Sequence, residues 1–165
     1  MTTSKKIKKI AIVVDDNKRT DLIEWSYFNK DILCQHEIIA NEITADLLKG
    51  TLNIPITTLL TGTADGHREL ANLLERKAIE ILIFFGNPAK ADIHQTGISD
   101  LLVLAGDQNI LTACNRITAD LIIGSLEAQS TQKTKKEDNQ VSSNATYISK
   151  NKADGLSSFA GIRHS

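Results

Sequence analysis

Residues Ile10 to Asp16 read IAIVVDD, five apolar residues that end in two carboxylates, and Ile81 to Phe85 give a second such run, ILIFF. A strand with no polar face is buried on both sides, the condition of a parallel sheet covered by helices. Working outward from these two, strands are expected at Ile7 to Val14, Gln35 to Ala40, Pro55 to Leu60, Ile79 to Phe85 and Ile110 to Ala113. After the first strand, Leu22, Trp25, Phe28, Ile32 and Leu33 share one arc of a 3.6-residue period, which predicts a helix with Trp25 in the core. Further helices are expected over about Gly66 to Lys77, Ile98 to Ala105 and Ile117 to Ile123. Strands alternating with helices predict an α/β fold, a three-layer doubly wound sandwich around a five-stranded parallel sheet.

The chain has 165 residues, 41% of them hydrophobic, enough for one core, since domains hold roughly 100 to 150 residues. That domain is expected over residues 1–125. In the tail, 126–165, Ser, Lys, Asn, Asp and Gln dominate and apolar residues lack a sustained period. Such a composition buries too little to offset chain entropy, so the tail is expected to be disordered. Its KTKK run, Lys133 to Lys136, reads as solvated linker.

A formal net charge of −1 provides no basic field for a phosphate backbone, so nucleic acid is not an expected partner. Apolar runs of five residues fall far short of the about 20 that cross a bilayer. The basic start, Met1 to Lys9, is followed by an apolar stretch too short for a signal-peptide core. No membrane partner and a cytoplasmic location are therefore expected. Cys34 and Cys114 lie outside any CxxC or Cys/His spacing and read as buried, reduced thiols, without a metal site.

In doubly wound sheets ligands bind beyond the carboxyl ends of the strands, so the turns there hold the candidate site. The first turn, Asp15-Asp16-Asn17-Lys18-Arg19, sets carboxylates and cations side by side at a helix start, where acidic residues also simply complement exposed amides. The second, Asn41 to Asp46, offers the Thr44 hydroxyl, which in isolation is a helix cap. The third, Thr61-Gly62-Thr63-Ala64-Asp65-Gly66-His67, joins glycines and hydroxyls ahead of a helix, a composition suited to phosphate. Any tight strand-to-helix turn also needs glycine. Neither GxGxxG nor GxxxxGK[ST] occurs there, so no dinucleotide or P-loop site is indicated. The fourth turn, Gly86 to His94, adds an imidazole, though a lone loop histidine is ordinarily just solvated. Convergence lifts these residues above their ordinary roles, because one sheet edge would gather carboxylate, hydroxyl, amide and imidazole.

With their spacing, IAIVVDD, Trp25, Gln35-His36, the Thr61-Gly62 turn, ILIFF, Pro88, His94 and NRITADLII (Asn115 to Ile123) resemble the methylglyoxal synthase family from Ile10 to Ser125. The resemblance implies a five-stranded, usually homohexameric protein that converts dihydroxyacetone phosphate to methylglyoxal and inorganic phosphate with neither metal nor organic cofactor. It further implies Asp16 as an active-site carboxylate, His94 as the histidine that polarises the substrate carbonyl, and Thr44, Thr61 and Gly62 as a phosphate cradle. Arg19 stands in the place of a phosphate-binding lysine and can grip an anion with two donors. The sequence departs from the family pattern at His67 and Gly97, which occupy the places of the catalytic and a second active-site aspartate. Ile43 and Asn41 replace threonines, and Asn87 an aspartate.

Three readings follow. Elimination of phosphate needs a base for a carbon-bound proton, donors for the enediolate, and a grip on the leaving group. In the first reading His67, near a helix N-terminus whose field disfavours a cationic ring, is the base, with Asp16 assisting and His94 stabilising the enediolate. In the second the cradle survives without the chemistry, as a regulatory or sensor module for phosphate or a small phosphorylated metabolite. A third, an assembly subunit whose tail docks a neighbour through Leu156, Phe159 and Ile162, rests on the tail alone.

Overall fold

The computed structural model describes residues 6–59, 63–87 and 97–129, with 63–66 as backbone alone. The two apolar runs form the central strands, β1 (Lys9–Val14) and β4 (Ile81–Phe85), and every residue of either is buried except Lys9. Their side chains alternate as a pleat requires: Ile10, Ile12 and Val14 enter one core, Ala11 and Val13 the other. With β2 (Glu37–Ala40), β3 (Thr57–Thr58) and β5 (Leu111–Ala113), they make a five-stranded sheet in the order β3-β2-β1-β4-β5. All neighbours are parallel, with Ile12 opposite both Ala40 and Ile83, and Val14 opposite Phe85.

Strands are shorter than the apolar patterns, most of all β3 at the sheet edge. Pro55 has no N–H to give a ladder, so pairing starts at Thr57 and is carried on by the Leu59 N–H, which donates to Ala40 O at 2.8 Å.

The helices are α1 (Arg19–Phe28), α2 (Lys30–Leu33), α3 (Glu42–Leu52), α4 (Thr63–Glu75), α5 (Ile98–Asp107) and α6, residues 116–129. The single helix expected across Leu22 to Leu33 is broken at Asn29, whose side-chain amide donates to Trp25 O at 2.9 Å. Asparagine competes in this way for helix carbonyls, and Phe28 turns outward, 69% exposed, instead of joining the stripe. The periodicity missed α3 altogether. It buries only Thr44, Ala45, Leu48 and Leu52, and Ile43, Thr51 and Gly50 weaken its intrinsic preference. Its start is fixed by Asn41, whose side chain accepts from the Thr44 N–H at 2.9 Å.

One core packs α1, α2, α3 and α6 on one face of the sheet through Leu22, Trp25, Leu33, Leu48 and Ile123; the other packs α4 and α5 through Leu70, Leu74, Ile98 and Leu101. This is the expected three-layer α/β arrangement. Trp25, fully buried, lies 5.1 Å from Phe85 by ring centroids and donates from Nε1 to Asp120 Oδ1 at 2.8 Å, tying α1 to α6. His36 accepts from the Lys8 N–H on Nδ1 at 3.0 Å, an anchor at the far end of β1 from the candidate site. Both cysteines are free and half-buried, less enclosed than expected, and burial pushes the Cys114 thiol up from its ordinary pKa.

Candidate functional site

Because every strand pair is parallel, the carboxyl ends of β1 to β4 share one edge of the sheet. The chain goes from β1 to β2 on one side and places β4 on the other, so the crevice of the fold opens between the ends of β1 and β4. There the Asp15 N–H donates to Phe85 O at 2.8 Å, and Asp15 is buried. A Cβ on Gly86 would fall 2.6 Å from Phe84 Cζ and 2.7 Å from Asp15 Cβ, so glycine is what lets the two turns touch.

From Asp15 the chain makes a 3-10 turn, Asp16–Lys18, closed by the Lys18 N–H donating to Asp15 O at 2.8 Å, and enters α1. Arg19 Nη2 donates to Asp16 Oδ1 at 2.6 Å, the two side chains being 43% and 72% exposed. An ion pair so open to water contributes at most about 1 kcal/mol. Arg19 Nε, by contrast, is buried and makes no hydrogen bond.

Thr44 is not the cap of α3, as its sequence context suggested, since Asn41 fills that role. Thr44 is the third helical residue, fully buried, with Oγ1 unpartnered. Ile43 beside it is 52% exposed.

α4 begins at Thr63, earlier than the period indicated, which moves His67 beyond the first turn. The helix-end field fades over that turn. The ring packs instead on Gly97, the residue preceding α5, and His67 Nδ1 is buried without a partner.

Among the described residues, the buried side-chain polar atoms lacking a hydrogen bond are Arg19 Nε, Thr44 Oγ1 and His67 Nδ1. All three belong to residues that the sequence had singled out. Folded proteins pair nearly all such atoms, and leaving one unpaired costs about 1–3 kcal/mol. Thr61, Gly62 and His94 lie outside the described residues, as do Pro88 and the tail from 130 on. The sequence missed the close approach of Gly86 to Asp15 and Phe84. The Asn41-to-Thr44 spacing, an N-cap signature, could have revealed α3. Among the described residues no three His, Cys, Asp or Glu side chains gather to hold a metal ion, and no helix is long and apolar enough to cross a membrane.

No protein-family model matches the chain. It is 41% identical over 118 residues to a methylglyoxal synthase of Yersinia pestis (strain Pestoides F), across 72% of this chain and 77% of that protein. A methylglyoxal synthase of Yersinia pseudotuberculosis (serotype O:1b) matches to the same extent. In three dimensions the chain is similar to the crystal structure of methylglyoxal synthase from Elizabethkingia anophelis NUHP1, with a TM-score of 0.65 and 30% identity over 71% of this chain and 77% of that one.

Proposed function

The chain belongs to the methylglyoxal synthase family, and on that premise we propose that it is a divergent lyase acting on dihydroxyacetone phosphate. The observation that carries this reading is that Arg19 Nε and Thr44 Oγ1, on two of the positions assigned to phosphate, are buried and unpartnered. Groups of that kind hold donors and acceptors ready for a ligand at the cost of folding stability.

In the proposed reaction a base takes a proton from the hydroxymethyl carbon, and the electron pair left behind forms an enediolate with the adjacent carbonyl. Collapse of the enediolate breaks the carbon–oxygen bond to phosphate, which leaves with that bond's electrons. The remaining enol tautomerises to methylglyoxal. His67 is the base, through Nε2, since Nδ1 is turned inward. Asp16 assists proton handling and His94 stabilises the enediolate. Arg19, Thr44, Thr61 and Gly62 hold the phosphate, so the partner is a small phosphorylated metabolite and no metal or organic cofactor takes part.

Incubating the purified chain with dihydroxyacetone phosphate and measuring methylglyoxal and inorganic phosphate tests this directly. Equimolar products, abolished in both His67→Ala and His94→Ala, are expected. Products that persist in both variants contradict the assignment.

One observation favours a second reading. Asp16, at a family carboxylate position, is largely exposed and held by Arg19 at 2.6 Å, a setting that does not favour proton abstraction, while Arg19 Nε beside it remains an unpaired donor for an anion. The chain would then be a sensor of phosphorylated metabolites. Thermal stabilisation by dihydroxyacetone phosphate without turnover supports that reading, because a ligand preferring the folded state raises apparent stability.

A further inference from the structure

His67 is placed by the absence of a side chain at residue 97. A Cβ built on Gly97 would lie 3.1 Å from Nδ1, 3.7 Å from Cγ and 3.9 Å from Cβ of His67, so the imidazole rests on the backbone that opens α5. At φ +124° that backbone is in a conformation L side chains rarely adopt. No side chain caps α5 here, and Nδ1 of the ring makes no hydrogen bond. With no directional bond to hold it, the ring is oriented by shape, and contact energy changes steeply over a few tenths of an ångström.

We infer that Gly97 is the positioning residue for His67: its bare Cα seats the imidazole with Nδ1 turned inward and leaves Nε2 as the nitrogen open to a ligand. A methyl group at residue 97 pushes the ring off this seat. The inference rests on the reading of His67 as a site residue for its functional consequence, but not for its geometry.

The test uses the full chain in four forms: native, Gly97→Ala, His67→Ala and the double variant. Inorganic phosphate is the probe, with affinity measured by calorimetry and the His67 ring followed by nitrogen-15 NMR. Backbone strain at residue 97 acts in both backgrounds, so the cycle subtracts it. Gly97→Ala is expected to weaken phosphate binding on the order of tenfold when residue 67 is histidine, and less than about twofold when it is alanine. It is also expected to shift the His67 ring nitrogens. Equal losses in the two backgrounds, or unmoved ring resonances, overturn the inference.

If a variant does not fold, the native chain decides by itself. A nuclear Overhauser contact between Gly97 Hα and the His67 ring proton Hε1 is expected, and its absence overturns the inference. Should the native chain bind no phosphate, the site reading fails, while the Overhauser contact and the ring resonances still decide the role of Gly97.

Discussion

Arg19 Nη2 donates to Asp16 Oδ1 at 2.6 Å while Nε of the same guanidinium is buried and unpaired. One donor of the group is thus engaged by a carboxylate, while the neighbouring Nε–H has no partner. The pair is exposed enough that an incoming dianion can displace Asp16 at little cost.

Arg19→Ala is therefore expected to separate binding from folding. Losing a charged donor to phosphate costs about 1.5–3 kcal/mol, roughly 10- to 100-fold in affinity. Losing an exposed ion pair costs at most about 1 kcal/mol of stability. Calorimetry with inorganic phosphate and denaturant unfolding check the two halves. A variant that unfolds readily but binds normally contradicts the assignment.

Thr44→Val keeps the shape of a fully buried side chain and removes an oxygen that has no partner. The variant is expected to be more stable by about 1 kcal/mol, since the hydroxyl's desolvation is no longer opposed to folding, and to bind phosphate more weakly. Thr44→Ser should retain binding. A destabilised valine variant would show that Oγ1 is satisfied in solution.

Far from the site, Glu80 ties the start of β1 to β4. Burial raises its pKa, but the Lys9 N–H, the hydrogen bond and charge of Lys8 and the charge of Lys6 outweigh that and hold it below the ordinary 4.5. A depressed folded value means that the contribution is present above about pH 4.5 and is lost as pH falls through the lower, folded value. Denaturant midpoints from pH 7 to 3 should fall more steeply for the native chain than for Glu80→Gln. Parallel curves would contradict this.

Two glycines should respond oppositely to alanine. A Cβ at Gly50, inside α3, meets nothing within 4 Å, so Gly50→Ala is expected to stabilise by about 0.5–1 kcal/mol. At Gly86 the same atom would sit 2.7 Å from Asp15 Cβ, and overpacking of that kind costs about 1–3 kcal/mol. Thermal unfolding of both variants distinguishes them.

How much of this was legible depended on whether the cause was local. IAIVVDD and ILIFF announced buried parallel strands because burial on two faces marks composition itself. Helix α3 left only a faint period, since its buried stripe includes Thr44 and its interior includes Gly50, so its stability comes from packing and the Asn41 cap. The break at Asn29 was hidden because its signal is one side-chain bond to Trp25 O. Arg19, Thr44 and His67 could be picked out as residues, but not as unpaired atoms. The seat of His67 on Gly97 joins residues far apart in the chain, brought together by the packing of α4 on α5.

The proposed site needs the unpaired Arg19 Nε and Thr44 Oγ1, together with the His67 ring through its Nε2, to meet one small phosphorylated ligand. Titrating the isotopically labelled chain with inorganic phosphate, and following Arg19 Nε, the Thr44 amide and the His67 ring by NMR, measures that most directly. All three signals should move together and report a single dissociation constant. Separate constants, or signals that do not move while phosphate binds elsewhere, would contradict it.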